Sequence, residues 1–107
     1  MNAFAQALSA ALQYAIVSRQ VSDEGEFVGF LYREEPAFEH DSGWRFFSGA
    51  EDDEYADNPD HFITAPLSDV LNTHPEVAPL MSQTQGAWEW HDEQQQFVAV
   101  ADWQGQN

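Results

Sequence analysis

Between Val21 and Tyr55, apolar runs that resemble β-strands alternate with short acidic turns, and this alternation constrains the fold more than any other feature. Such a pattern is typical of half-buried strands joined by turns. The stretch also holds Arg33 and Arg45, two of the three arginines of the chain, which has no lysine. It lacks the spacing of a catalytic triad, a nucleotide-binding loop or a metal site. The pattern therefore favours a binding module over an enzyme.

Local patterns along the rest of the chain predict one domain over residues 1–107. Apolar residues recur every three or four positions from Asn2 to about Tyr14, which predicts an N-terminal helix. Strands are predicted at 16–21, 26–34, 43–47, 61–65, 87–91 and 96–101. The first two are expected to form a hairpin through the turn at 23–25, and the last two form another. Two short helical segments are predicted between 67 and 82, separated by Pro75.

These elements indicate an α+β fold. We expect a mainly antiparallel, twisted sheet with the N-terminal helix and the helical insert packed on it.

The charge of the chain restricts its partners. It has 19 Asp and Glu residues against three Arg and no Lys, which gives a formal net charge of -16. Binding to nucleic acid or to an anionic membrane needs a basic surface, so neither is an expected partner. A protein with a basic surface, or a cation, would be attracted instead. The alternative is that the acidity only keeps the protein soluble.

The chain contains no cysteine, so it has neither a disulfide framework nor a thiolate site. Its first 17 residues lack the positive segment of a secretory signal, and no apolar run approaches the ~20 residues that span a bilayer. We expect a soluble, cytoplasmic protein.

The run Glu51-Asp52-Asp53-Glu54 is the strongest candidate site. Clustered carboxylates suit calcium, but the spacing does not fit an EF-hand and a solvated loop is more typical. Their negative potential beside the Tyr55 ring suits docking to Arg and Lys of another protein. The four histidines are too scattered for a zinc motif, so no metal and no cofactor is predicted. A small regulatory protein that binds a ligand or metal through the same loop remains the alternative.

Acidic residues also surround the two arginines of the central stretch. Glu34, Glu35 and Asp41 would serve as paired carboxylates in acid–base catalysis. Nearly any acidic protein offers such pairs, so structural ion pairs to Arg33 and Arg45 are the favoured interpretation.

The aromatic residues of the third predicted strand cannot all face one side. Trp44, Phe46 and Phe47 alternate imperfectly, so two are expected in the core and at least one on the other face. The outward ring, with Tyr32 or Tyr55, would form an interface anchor inside an acidic rim. Trp88 and Trp90, at the other end of the chain, are predicted to be core residues.

Linked motifs across this region resemble a known family. VSDEG, VGFLYREEP, DSGWRFFSG, EDDEY and NPD are followed by a proline-bounded helix that ends in PLM. This order resembles the immunity-protein thirty-three domain family of bacterial polymorphic toxin systems, formerly a domain of unknown function. The likeness covers about Val21 to Met81.

The resemblance implies a non-enzymatic protein that binds and neutralises a cognate toxin or effector protein by occluding its active site. A basic surface on that effector would match the acidic chain. The expected contact residues are Glu51, Asp52, Asp53, Glu54 and Tyr55, followed by Trp44 and Arg45.

Overall fold

The fold is known from a computed structural model, which describes residues 13–83 and 85–100. Six strands are described: β1 (Tyr14–Ser18), β2 (Phe30–Arg33), β3 (Asp41–Phe47), β4 (Phe62–Pro66), β5 (Gly86–His91) and β6 (Gln96–Ala99). The helices are α1 (Arg19–Ser22), α2 (Asp53–Ala56) and α3 (Leu67–Thr73), with 3-10 helices at Pro59–His61 and Pro75–Leu80. The predicted N-terminal helix lies outside the described residues, apart from its last two positions, of which Tyr14 belongs to β1.

The six strands form one sheet in the order β4-β1-β3-β2-β5-β6. β1 and β3 run parallel, and the other four neighbouring pairs are antiparallel. The predicted α+β class with a mainly antiparallel sheet is therefore confirmed. The strands near 43–47 and 61–65, the final hairpin and the helical insert are also confirmed, with ends shifted by a few residues.

The predicted hairpin between the first two strands is wrong. β3 lies between β1 and β2 and pairs with both of them. A local feature ends β1 early: the Ser18 side chain accepts a hydrogen bond from the N–H of Gln20 and caps α1, so the chain leaves the sheet at a position predicted to be mid-strand. β2 then begins only at Phe30.

One face of the sheet forms the core. Cross-strand pairing aligns Val17, Phe46, Leu31 and Trp88 on four neighbouring strands, and all four are buried. Residues of α3 and of the following 3-10 helix belong to the same buried cluster. Each large side chain removed from water there contributes roughly 1.5–3 kcal/mol. The core therefore joins the helical insert to the centre of the sheet.

The opposite face carries a second group of aromatic rings, all half-buried. Tyr32 stacks on Phe47 with centroids 5.7 Å apart, and Phe30 and Phe62 lie 5.9 and 5.7 Å from the same ring. Trp44 and Phe46 are in the core, so the prediction that one of the three aromatics of this strand faces away is confirmed for Phe47.

A buried ion pair fastens the end of β2 to the start of β3. Arg45 is only 3% exposed, and its guanidinium donates to both carboxylate oxygens of Asp41 at 2.8 Å and to Glu34 at 2.6 Å. Asp41 also accepts hydrogen bonds from the N–H groups of Ala37 and Gly43. The predicted structural role of these acids is therefore confirmed for Arg45.

Gly43 makes this ion pair possible. Its φ of 87° lies in the left-handed region. Strand β3 also has a bulge at this point, because Tyr14 and Ile16 pair with Asp41 and Arg45, so that a step of two residues along β1 matches a step of four along β3. The bulge shortens the path between Asp41 and Arg45. A Cβ at Gly43 would also overlap the carbonyl oxygen of Glu34.

Arg33 is held differently from the prediction. Its guanidinium donates to the backbone carbonyls of Ser42 and Gln83, at 3.0 and 2.6 Å, and lies 5.6 Å from the centroid of Trp44. Cation–π contact and carbonyl oxygens replace the expected carboxylates.

We predict that Asp41→Ala lowers the free energy of unfolding by about 3–5 kcal/mol, because it leaves the buried Arg45 guanidinium with Glu34 as its only carboxylate partner. Urea unfolding at neutral pH measures the change. Glu35→Ala removes an exposed carboxylate and is the matched control, with an expected effect below about 0.5 kcal/mol. Equal losses in the two variants would contradict this account of the ion pair.

The same cluster predicts acid sensitivity. Burial raises the pKa of Asp41, but hydrogen bonds from Arg45 and from the backbone of Ala37 and Gly43 outweigh it, so the pKa lies below the usual range. In the unfolded chain the pKa of an aspartate is about 4, so the unfolded chain takes up a proton at Asp41 at a higher pH than the folded protein does. The contribution of Asp41 to the free energy of unfolding is therefore fully present above about pH 4 and is lost as the pH falls further. Unfolding at constant ionic strength from pH 7 to about pH 3 should show the decline. Asp41→Asn should flatten it, and an unchanged slope in that variant would refute the assignment.

Candidate functional site

The acidic loop, residues 49–57, leaves the sheet at the end of β3 and contains α2. Glu51 holds its start. The two carboxylate oxygens of Glu51 accept hydrogen bonds at 2.9 Å from the N–H groups of Ser48 and Gly49. Burial raises the pKa of Glu51, but hydrogen bonds from the Ser18 hydroxyl and from these backbone groups outweigh it, so the pKa is lowered. Glu51 therefore stays ionised and shapes the loop.

Asp52 also binds the chain itself. Its side chain accepts a hydrogen bond at 2.8 Å from the N–H of Tyr55 and caps α2. Asp53 and Glu54 occupy the first turn of that helix and are exposed. Of the four consecutive acids, the first two stabilise the loop and the last two face solvent.

Tyr55 connects the acidic loop to the aromatic face of the sheet. Its ring stacks on His61 at 4.0 Å between centroids and meets Phe62 edge-on at 6.2 Å. The side chain is half-buried as a result. The acidic loop and the aromatic rings of β2, β3 and β4 therefore form one continuous surface.

Trp44 and Arg45, the two remaining residues expected at the site, lie inside the protein. They are 1% and 3% exposed, and they belong to the core and to the buried ion pair. A partner cannot touch either side chain while the sheet is intact. The structure thus brings residues 51–55 together and assigns Trp44 and Arg45 to the support of the sheet.

A hollow of about 680 Å³ lies between the acidic loop and β5. Phe30 and Phe47 line it together with Glu51, Asp52, Asp53, Glu89 and Trp90. We call this the acidic hollow. The described residues that line it include no Arg, Lys or His. An apolar floor with carboxylates around it suits a cationic side chain that has an apolar stem, such as arginine.

Sequence reasoning missed three residues that line this hollow: Phe30, Glu89 and Trp90. Phe30 is the cross-strand partner of both Phe47 and Glu89, so strand pairing alone places these side chains together. Trp88 is buried as predicted, whereas Trp90 is only half-buried and lines the hollow. The period of two along β2 and β5 would have indicated Phe30 and Glu89 once the order of strands is known, but it places Trp90 on the face of Trp88 and gives no signal for its position in the hollow.

The geometry offers little for catalysis or for metal binding. In the parts of the chain that the structure describes, no group of three His, Asp or Glu side chains is placed to hold a metal ion. The pKa of Asp41 and that of Glu51 are both lowered, which is opposite to the shift of a carboxyl that acts as a general acid. The Ser48 hydroxyl donates to Gln20, not to a histidine.

No helix within residues 13–83 or 85–100 has the length and apolar character needed to cross a membrane.

Comparison with known proteins agrees with the motifs. The model of one family, the immunity protein Imm33 domain, matches residues 15–101. No match was found among curated proteins or among solved structures. The match contains the acidic loop and the helical insert, and it extends the motif-based resemblance to β1 and to the final hairpin. Since it covers well over half of the 107 residues, the chain belongs to the immunity protein Imm33 domain family.

Proposed function

We propose that this protein is an immunity protein that binds a cognate toxin effector and neutralises it by occluding the active site. The family match over residues 15–101 is the observation that carries this proposal. It acts by binding and not by catalysis, in keeping with the lowered pKa values of Asp41 and Glu51. The absence of cysteine suits a reducing compartment, so we place it in the cytoplasm.

The charge of the protein supports an effector with a basic surface. A net charge of -16 on a 12.1 kDa chain creates a strong negative field. Effectors that act on polyanions such as nucleic acids need a basic cleft, and an acidic inhibitor is steered quickly to such a cleft. Occlusion of that cleft would block the substrate directly.

The acidic loop forms part of the proposed docking face, and it is the part that sequence analysis had indicated. Asp53 and Glu54 are exposed and free to approach Arg and Lys of the effector, while Glu51 and Asp52 keep the loop in shape. Tyr55 links them to the aromatic face. This division of roles determines which residues a test must change.

The first test is capture of the tagged protein's partner from the native cell, at low and at moderate salt, with mass spectrometry of what co-purifies. We expect one stoichiometric basic effector, and adding the purified protein should abolish that effector's activity. An effector that is captured but stays fully active would contradict occlusion. Absence of any partner while the effector is expressed would favour a ligand-binding regulator instead.

We predict that Asp53→Lys combined with Glu54→Lys slows association with the effector by roughly tenfold at low salt and weakens its salt dependence. These two positions avoid the hydrogen bonds of Glu51 and Asp52, so the loop should stay folded. Stopped-flow association rates measure the effect.

The matched control is Glu35→Lys combined with Glu39→Lys, which changes the net charge equally at exposed positions away from the acidic loop. If both double variants slow association by the same factor, the total charge steers the partner and the loop is not the docking face.

A further inference from the structure

Strand β6 is the last strand on one side of the sheet within the part of the chain that the structure describes. The hydrogen bonds on its inner side determine which of its residues face outward. The N–H of Val100 donates to the carbonyl of Ala87 at 2.9 Å. Alternate residues of an antiparallel strand bond the same neighbour, so Val98 also bonds β5. Phe97 and Ala99 therefore direct their backbone N–H and C=O groups away from the sheet.

A second hydrogen bond gives the same assignment. The N–H of Trp90 in β5 donates to the carbonyl of Gly29, on the side of β2, at 2.9 Å. The neighbouring residue Glu89 must then bond β6, where its cross-strand partner is Val98. The outer edge of β6 is thus a short row of backbone donors and acceptors, the arrangement that accepts a further strand.

The opposite edge of the sheet, strand β4, is protected against such addition. The N–H of Leu67 bonds the chain just before β1, so the same alternation turns Phe62, Thr64 and Pro66 outward. However, the N–H of Phe62 donates to the 3-10 helix that precedes β4, and proline has no N–H. Only Thr64 keeps an outward N–H within β4, which makes this edge a poor template.

The edge of β6 has no such protection. Residues 94–101 read QQQFVAVA and contain neither a charge nor a proline, the two devices that most often keep edge strands apart. The rest of the chain carries a net charge of -16, so two copies repel each other over most of their surface. An uncharged strip lets them meet without opposed carboxylates. A basic partner would instead gain from charges at this edge, so the strip favours a second copy.

The outward hydrogen-bonding pattern is also complementary to itself. When two β6 strands run antiparallel about a two-fold axis at Val98, Phe97 of one copy lies opposite Ala99 of the other. Each of these two pairs exchanges both of its N–H···O=C bonds, so four backbone hydrogen bonds join the copies. Val98 then faces Val98 of the second copy, a β-branched pair of half-buried side chains.

We propose that β6 pairs with β6 of a second copy of this chain, antiparallel about a two-fold axis at Val98, so that two sheets become one continuous sheet. This inference goes beyond the proposed function and does not depend on it. The acidic loop leads towards β4, at the opposite edge of the sheet. Pairing through β6 therefore leaves the acidic loop of each copy exposed, and the dimer presents two such loops.

Sedimentation of the full chain over a range of concentrations is the first test. We expect an equilibrium between monomer and dimer that shifts towards dimer as salt rises from about 0.01 to about 0.15 M, because salt screens the repulsion between two acidic copies. This trend is opposite to the one expected for a basic effector. A chain that stays monomeric at every concentration and salt, or a dimer that dissociates as salt rises, would overturn the proposal.

Ala99→Pro tests the hydrogen bonds of the edge. It removes an outward N–H and leaves the bonds to β5 in place, and proline is tolerated at such edge positions. The dimerisation constant should fall roughly tenfold or more, because each copy loses one hydrogen bond. Thr64→Pro makes the same change at the edge of β4 and is the matched control, which should dimerise like the wild type. Equal dimerisation by Ala99→Pro and wild type would refute the edge pairing. Melting temperatures show whether each variant is folded.

Val98→Cys tests the register without disturbing the backbone. The chain has no cysteine, so the new thiol is the only one. Facing residues of a pair without hydrogen bonds have Cα atoms about 4.5 Å apart, within the reach of a disulfide. Oxidised glutathione should therefore link two copies. In Gln96→Cys, at an exposed position on the same face, the two thiols are offset by four residues, or roughly 14 Å, and should not link. Equal linking of both variants would contradict the register.

The captured effector separates this inference from the proposed function. If Ala99→Pro is monomeric and still neutralises the effector, the dimer and the immunity function both stand. If the wild type dimerises but neutralises no effector, the function fails and the dimer stands. If the wild type is monomeric and Ala99→Pro loses inhibition while Thr64→Pro keeps it, the edge belongs to the effector and self-pairing is refuted.

Discussion

The centre of the sheet depends on the buried ion pairs of Arg45 with Asp41 and Glu34. Removing a cation from water costs several kcal/mol unless its donors are matched, and here Asp41, Glu34 and the Trp44 carbonyl accept from it. The pair spans the connection between β2 and β3 and requires the left-handed bulge at Gly43. Strand β3 in turn lies between β1 and β2, so the position of this one strand sets both faces of the sheet.

Those two faces have different roles. Phe46 points into the core beneath the helical insert, whereas the next residue, Phe47, joins the aromatic rings of the other face and lines the acidic hollow. The acidic loop begins immediately after β3. The strand that organises the core therefore also positions the surface proposed for docking, and changes in the core would be transmitted to that surface through the backbone.

The carboxylates of this chain are not equivalent, although composition counts them alike. Asp41, Glu51 and Asp52 accept hydrogen bonds from the protein itself and stabilise the fold. Asp53 and Glu54 are exposed on the loop. A partner competes only with water for the carboxylates of Asp53 and Glu54, so their negative charge is available for recognition. The carboxylates of Asp41, Glu51 and Asp52 already have hydrogen-bond donors within the protein.

The sequence alone determined the features that depend on residues close to one another in the chain. Turn residues, period-two alternation and Pro75 located the final hairpin and the helical insert, and the linear motifs identified the family. The tertiary structure alone decided what depends on distant pairing. It placed β3 between β1 and β2, buried Trp44 and Arg45, and brought Phe30 beside Phe47 and Glu89. Strand order is set by long-range burial and by ion pairing, and local propensity carries no information about either.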